Sequence, residues 1–190
     1  MTTHDPYVLP PDLPAPDDDG AADHLVGMPL PPFELPATDD SSVRLDRLPG
    51  RVVVYAYPRT GVPDEEPLVP DWDSIPGARG CTPESCAFRD HYHELRDAGA
   101  AVVFGLSTQD TDYQRGAAER LHLPFALLSD VDLELTKALR LPTFEAAGET
   151  LLKRFTLVIG DGRIEHVFYP VFPPDKHAEQ VLAWLRARVT

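Results

Sequence analysis

The sequence predicts an α/β fold with a mixed central sheet flanked by helices. Three observations predict it. Two short continuous apolar runs, at residues 51–57 (RVVVYAY) and 101–107 (AVVFGLS), suit strands buried on both faces. The helical stretch between them supplies the crossover that a parallel pair needs. Further on, residues 155–159 (FTLVI) and 163–169 (RIEHVFY) flank Gly160-Asp161-Gly162, a turn rich in residues that tolerate positive φ, and so form an antiparallel hairpin.

The elements follow in order. Residues 1–23 carry Pro6, Pro10, Pro11, Pro14 and Pro16, then Asp17, Asp18, Asp19 and Asp23. Such a segment cannot bury enough apolar surface to offset its ordering entropy, which predicts a flexible or loosely draped acidic, proline-rich arm. Residues 24–190 form the globular domain. After the first strand, residues 61–76 carry Pro63, Pro67, Pro70 and Pro76 among acidic residues. A loop of this length inside a compact domain reads as an insertion bordering the functional site, with Trp72 and Ile75 anchoring it. Next, Phe88, Tyr92 and Leu95 recur at spacings of four and three and give a helix one apolar face, with Gly99 as its C-cap. Residues 110–121 read as a helix, 125–128 as a strand and 132–139 as a short helix. Residues 177–189 close the chain as an amphipathic helix, with Val181, Leu182 and Leu185 inward and Trp184 beside them. A βα unit, an antiparallel hairpin and a final helix are the order of a thioredoxin-like fold.

Composition excludes several functions. The formal net charge of −14 repels nucleic acid and anionic membrane surfaces. No run of 18 apolar residues exists to span a bilayer. The N-terminus has neither a basic start nor an apolar core, so it does not read as a secretory signal, and a cytoplasmic location is expected. Two cysteines in a reducing compartment are free, metal-bound or catalytic more often than a structural bridge.

The chemistry lies in Gly80-Cys81-Thr82-Pro83-Glu84-Ser85-Cys86. Pro83 suits the first turn of a helix, where its missing N–H costs nothing. That places Cys81 or Thr82 at the cap, facing unpaired N–H groups and the positive end of the helix dipole, which favour the thiolate. Lowering a thiol pKa from ~8.5 to ~6 raises its ionised fraction at pH 7 from ~3% to ~90%. On an ideal helix, residues five apart are rotated by ~140° with Cα atoms ~8.5 Å apart. A disulfide needs less than ~7 Å, so Cys81 and Cys86 can bridge only if the first turn unwinds. Spacing alone leaves other readings open. One or both cysteines could be inert small hydrophobes. Cys81, Cys86, His91 and His93 could hold a metal, although on one helix they point to different faces and match no common zinc pattern. A dithiol reductase wants C-x-x-C, which is absent.

GCTPESCAFRD resembles the active-site helix of peroxiredoxins of the bacterioferritin-comigratory-protein or Q subfamily. YAYP, VFGLST, LPFALLSD and RFTLVIGDGRIEHVFY resemble the same family in order and spacing, over roughly His24 to the C-terminus. The resemblance implies that Cys81 is the peroxidatic cysteine, Cys86 the resolving cysteine and Arg154 the active-site arginine. It implies a peroxide substrate, hydrogen peroxide or an organic hydroperoxide, and a thioredoxin-like reductant, with no cofactor and no metal. The sequence departs from the family loop Pro-x-x-x-Thr-x-x-Cys: Ala78 stands three residues before Cys81 and Ser74 seven before. Either Thr60 folds back in place of the missing threonine, which is the expectation, or its task passes to backbone groups and Arg79; Pro58 is expected to shield the thiolate, with Arg79 and Gly80 at the substrate. Glu84 resembles the family's helix glutamate, although a solvated helix-start acid would explain it equally. An internal resolving cysteine needs no partner subunit, so a monomer is expected. The reading from a different class is a non-catalytic thioredoxin-fold binding or redox-sensing module using the arm and insertion as its contact surface.

Overall fold

A computed structural model describes residues 5–188. Its centre is a five-stranded sheet in the order β5-β4-β3-β8-β9. These strands are β3 (Arg51–Ala56), β4 (Ala100–Ser107), β5 (Leu127–Ser129), β8 (Phe155–Gly160) and β9 (Arg163–Phe168). β3 pairs parallel with β4, and β4 with β5. β8 pairs antiparallel with β3 and with β9. The mixed sheet and the thioredoxin-like order expected from the sequence are both present.

The continuous apolar run of β3 has its physical reason in this placement. Alternate side chains enter opposite layers, and both layers are packed. Val52, Val54 and Ala56 join Leu25, Leu35, Leu45, Leu135 and Leu152 on one side. Val53, Tyr55 and Tyr57 meet Cys81, Phe88, Leu95, Val181, Leu182 and Leu185 on the other. That second layer is built from α1 (Cys81–Asp90), α2 (Tyr92–Asp97) and α5 (His177–Arg186). The other two helices are α3 (Thr111–Arg120) and α4 (Glu134–Leu139).

Where the sequence predicts one helix ahead of β4, the chain breaks at His91 (φ −95°, ψ 6°). Backbone bonds from His91 N to Ala87 O and from Leu95 N to His91 O carry the turn across the break, so Phe88 and Leu95 still share a face. Two small antiparallel pairs have no counterpart in the sequence reading: β1 (Leu35–Pro36) with β2 (Ser42–Val43), and β6 (Thr143–Ala146) with β7 (Glu149–Leu152). The second matters for the insertion. Trp72 is buried against Ala78, Ala146 and Leu151, with Leu68, Val69, Ile75 and Phe144 around them. The insertion is thus anchored by Trp72 and Ile75, and its seat is the β6–β7 hairpin.

Residues 5–23, expected as a flexible or loosely draped arm, lie against the body through specific contacts. Asp19 accepts from Lys153 Nζ at 2.7 Å and from the Tyr169 hydroxyl at 2.6 Å. Ala22 is buried in the first core layer. Residues 1–4 of the arm lie outside the described residues.

Candidate active site

Cys81 is the first residue of α1, and Gly80 is its N-cap at φ +109°. A side chain at Gly80 would put Cβ 2.3 Å from Pro174 Cγ, so both the left-handed backbone and the close approach require glycine. Gly80 therefore shapes the start of the helix beneath the sulfur.

Arg154, in the link between β7 and β8, reaches that point from the other side. Its Nη2 donates to Cys81 Sγ at 3.2 Å and to the carbonyls of Gly77, Ala78 and Arg79 at 3.2, 3.3 and 3.2 Å. Its Nη1 donates to Glu84 Oε2. Arg154 is 2% exposed and Glu84 0%, so the pair is fully desolvated. One guanidinium thus fixes the sulfur, the helix acid and the loop before the helix. Of the two readings open for Glu84, the solvated helix-start acid fails, because the residue is buried on Arg154.

The electrostatics of Cys81 differ from the sequence expectation. Burial pushes the thiol up, the charge and hydrogen bond of Arg154 push it down, Glu84 pushes it up, and the Arg59 backbone N–H pulls it down. In this closed conformation burial prevails, and the thiol donates to Ala78 O at 3.6 Å. Glu84 is pushed up to about 7, by burial acting against Arg154. A single cation cannot fully compensate two buried acids, so their ionisations compete.

Around the sulfur lies a cleft lined by Arg59, Thr60, Gly61, Val62, Leu68, Trp72, Arg79, Gly80, Cys81, Thr82 and Tyr113, with Pro6 of the arm at its mouth. The structure thus brings Thr60 into the same cleft as Cys81. Thr60 is 2% exposed, and its carbonyl accepts from the Tyr113 hydroxyl at 2.6 Å. Arg59 is steadied beside it by Gln109 Oε1 at 2.6 Å and by stacking over the Tyr113 ring at 4.3 Å.

The Redoxin family matches residues 25–182. Peroxiredoxin Q, chloroplastic, of Sedum lineare is 35% identical over 159 residues, covering 83% of this chain and 75% of that one. Peroxiredoxin Bcp of Escherichia coli is 34% identical over 161 residues, covering 82% and 92%. The crystal structure of peroxidoxin BcpB from Mycobacterium tuberculosis superposes with a TM-score of 0.68 at 29% identity, covering 88% and 100%. The chain belongs to the peroxiredoxin family. It is of the Q/Bcp branch, and its activity is that of a thiol-dependent peroxidase.

In this peroxiredoxin both cysteines are free, with Cys81 buried and Cys86 half-buried on the intact helix. Pro58 is buried behind the cleft, its carbonyl accepting from Ser107 Oγ at 3.0 Å; it is not among the lining residues. Arg79, expected at the substrate, lines the cleft, but its guanidinium is turned to the arm, donating to Val8 O at 3.0 Å, to Asp5 O and to Asp73 at 3.5 Å. Two peroxiredoxin site features escaped the sequence reading. The Arg59 N–H at the sulfur is a backbone group and leaves no residue signature. Tyr113, which holds the Thr60 carbonyl, is marked only by its place in the first turn of α3. Among the described residues no group of three or more His, Cys, Asp or Glu is placed to hold a metal ion, and no helix is long and apolar enough to cross a membrane.

Proposed function

We propose that Cys81 is the peroxidatic cysteine and Cys86 the resolving cysteine, with Arg154 and Thr60 assisting at the peroxide. The observation that carries the reading is Arg154 Nη2 at 3.2 Å from Cys81 Sγ, at the start of a helix and inside a cleft. The Cys81 thiolate attacks one peroxide oxygen in line with the O–O bond. The S–O bond forms as the O–O bond breaks, and the departing oxygen takes a proton to leave as water or an alcohol. Donors fixed where that charge develops are worth ~3 to 4 kcal/mol each in comparable sites. Arg154, the Thr60 hydroxyl and the N–H groups beside the sulfur supply them here. The sulfenic acid on Cys81 is then attacked by the Cys86 thiolate, with loss of water and formation of the disulfide.

Burial of the thiol in the closed state sets a condition on the first step. The thiolate forms on the Arg154 side when Glu84 holds a proton or when incoming peroxide and water raise the local polarity. The second step needs the first turn of α1 to open, since the two Cα atoms are ~8.5 Å apart on an intact helix. An external dithiol, thioredoxin or a similar protein, reduces the disulfide. An internal resolving cysteine suits a monomer.

Free-thiol titration before and after one equivalent of hydrogen peroxide tests the reading. Rapid loss of both thiols per chain without disulfide-linked dimers is the expected result. Slow loss, or dimers that disappear on reduction, would overturn the intramolecular assignment.

A further inference from the structure

The arm forms part of the wall of the cleft that holds the sulfur. Pro6 is buried and lines the cleft with Cys81, Thr82 and Arg79. The carbonyls on either side of it, those of Asp5 and Val8, both accept from Arg79 Nη2. Leu9 Cδ2 comes within 3.1 Å of where a Cβ on Gly80 would stand, so the arm rests on the residue next to Cys81. Further along, Lys153 and Tyr169 hold Asp19, which fastens the arm at a second point. Val62, Pro67, Leu68 and Trp72 of the insertion form other parts of the wall.

The space beside the sulfur is small. For the centre of a water-sized sphere the cavity measures ≈ 40 Å³. About 10–15 Å³ by that measure admits one water. The space beside the sulfur therefore seats a peroxide O–O unit, and a bulky substituent must find room at the wall that Pro6 forms. Proline contributes a ring with fixed φ and no rotamers that could yield to a larger group. Widening the cleft at this wall requires Pro6 to move, and its neighbours on both sides are tied to one guanidinium.

We propose that residues 5–9 are a specificity-determining cap of the peroxide cleft, with Pro6 as the wall that favours hydrogen peroxide over hydroperoxides carrying a bulky alkyl or aryl group. The proposal rests on Cys81 being the peroxidatic cysteine. Neither Pro6 nor Leu9 supplies a polar group to the sulfur, so the cap acts by exclusion. The apolar insertion residues Val62 and Leu68, which alone would suit bulky substrates, line the same cleft as Pro6.

The test compares kcat/KM for cumene hydroperoxide with kcat/KM for hydrogen peroxide in the full-length protein and in Pro6→Gly and Leu9→Asp. The ratio of the two constants cancels the active fraction, so partial misfolding cannot imitate the effect. Removing a steric wall of this size should raise the ratio about ten-fold or more in both variants. A ratio that stays at the wild-type value in either variant overturns the cap. Failure of the underlying assignment looks different, because Cys81→Ser would then still turn over hydrogen peroxide.

Discussion

Arg154 Nη2 stands 3.2 Å from Cys81 Sγ, while Nη1 of the same guanidinium is bonded to Glu84. With both acids buried, the negative charge is shared between them. Removing the Glu84 charge leaves the cation to the sulfur, because Glu84 is one of the groups that push the thiol up. Glu84→Gln should therefore lower the pH midpoint of thiolate formation, followed by ultraviolet absorbance of the thiolate against a Cys81→Ser blank. An unchanged or higher midpoint would show that Glu84 does not compete for Arg154.

Arg154 does more than supply charge, since it also binds the carbonyls of Gly77, Ala78 and Arg79. A lysine is a compact point charge and cannot span the sulfur, a carboxylate and three carbonyls together. Arg154→Gln should cost about 10²- to 10³-fold in kcat/KM for hydrogen peroxide. Arg154→Lys should recover only a small part of that loss. Near-wild-type kcat/KM in the lysine variant would mean that charge, without the planar fork, is sufficient.

The two cysteines should separate cleanly. Cys81→Ser should abolish turnover, and Cys86→Ser should consume about one peroxide per chain and then stop with thioredoxin as reductant. In the wild-type protein Glu84 N donates to Gly80 O at 3.0 Å, a bond that the unwound turn must lose. Amide exchange near residue 84 should accordingly accelerate on oxidation. Equal protection in both redox states would contradict the helix-opening step.

Much of the fold was legible because its signals are local. β3 and β4 are continuous apolar runs, and α5 shows its buried stripe directly. The β6–β7 hairpin was not legible, because Ala147-Gly148 at φ +51° and +77° is a weak form of the usual Asn-Gly turn signal. That cost the reading the seat of Trp72. At the site, Cys81 and Arg154 were paired across the sequence through the family resemblance. The place of Glu84 was not resolved, since local spacing describes a helix-start acid and only Arg154, from a distant link, explains its burial. The contacts of the arm are not legible in the sequence for a similar reason. Its composition rules out a core of its own, but it is held partly through backbone carbonyls on Arg79, which composition does not register.

His177 gives the last prediction, which concerns stability. It is fully buried, with Nδ1–H donating to Gln180 Oε1 at 3.1 Å and Nε2 accepting from the Thr156 hydroxyl at 2.7 Å. A neutral imidazole satisfies both bonds, whereas a second proton would place a positive charge in the buried interior, with nearby Arg154 adding repulsion. Burial first, then Arg154, pulls its pKa down from 6.5 to about 4, against the Gln180 bond, which raises it. The unfolded chain therefore binds more protons than the folded one between these values. The stability involved is fully present above pH 6.5 and is lost as the pH falls toward about 4, to a total of roughly 3 kcal/mol. Thermal melting from pH 7 to pH 4 should show this decline in the wild type and a shallower one in His177→Gln, which cannot take up the proton. Parallel pH profiles for the two proteins would place the acid sensitivity elsewhere.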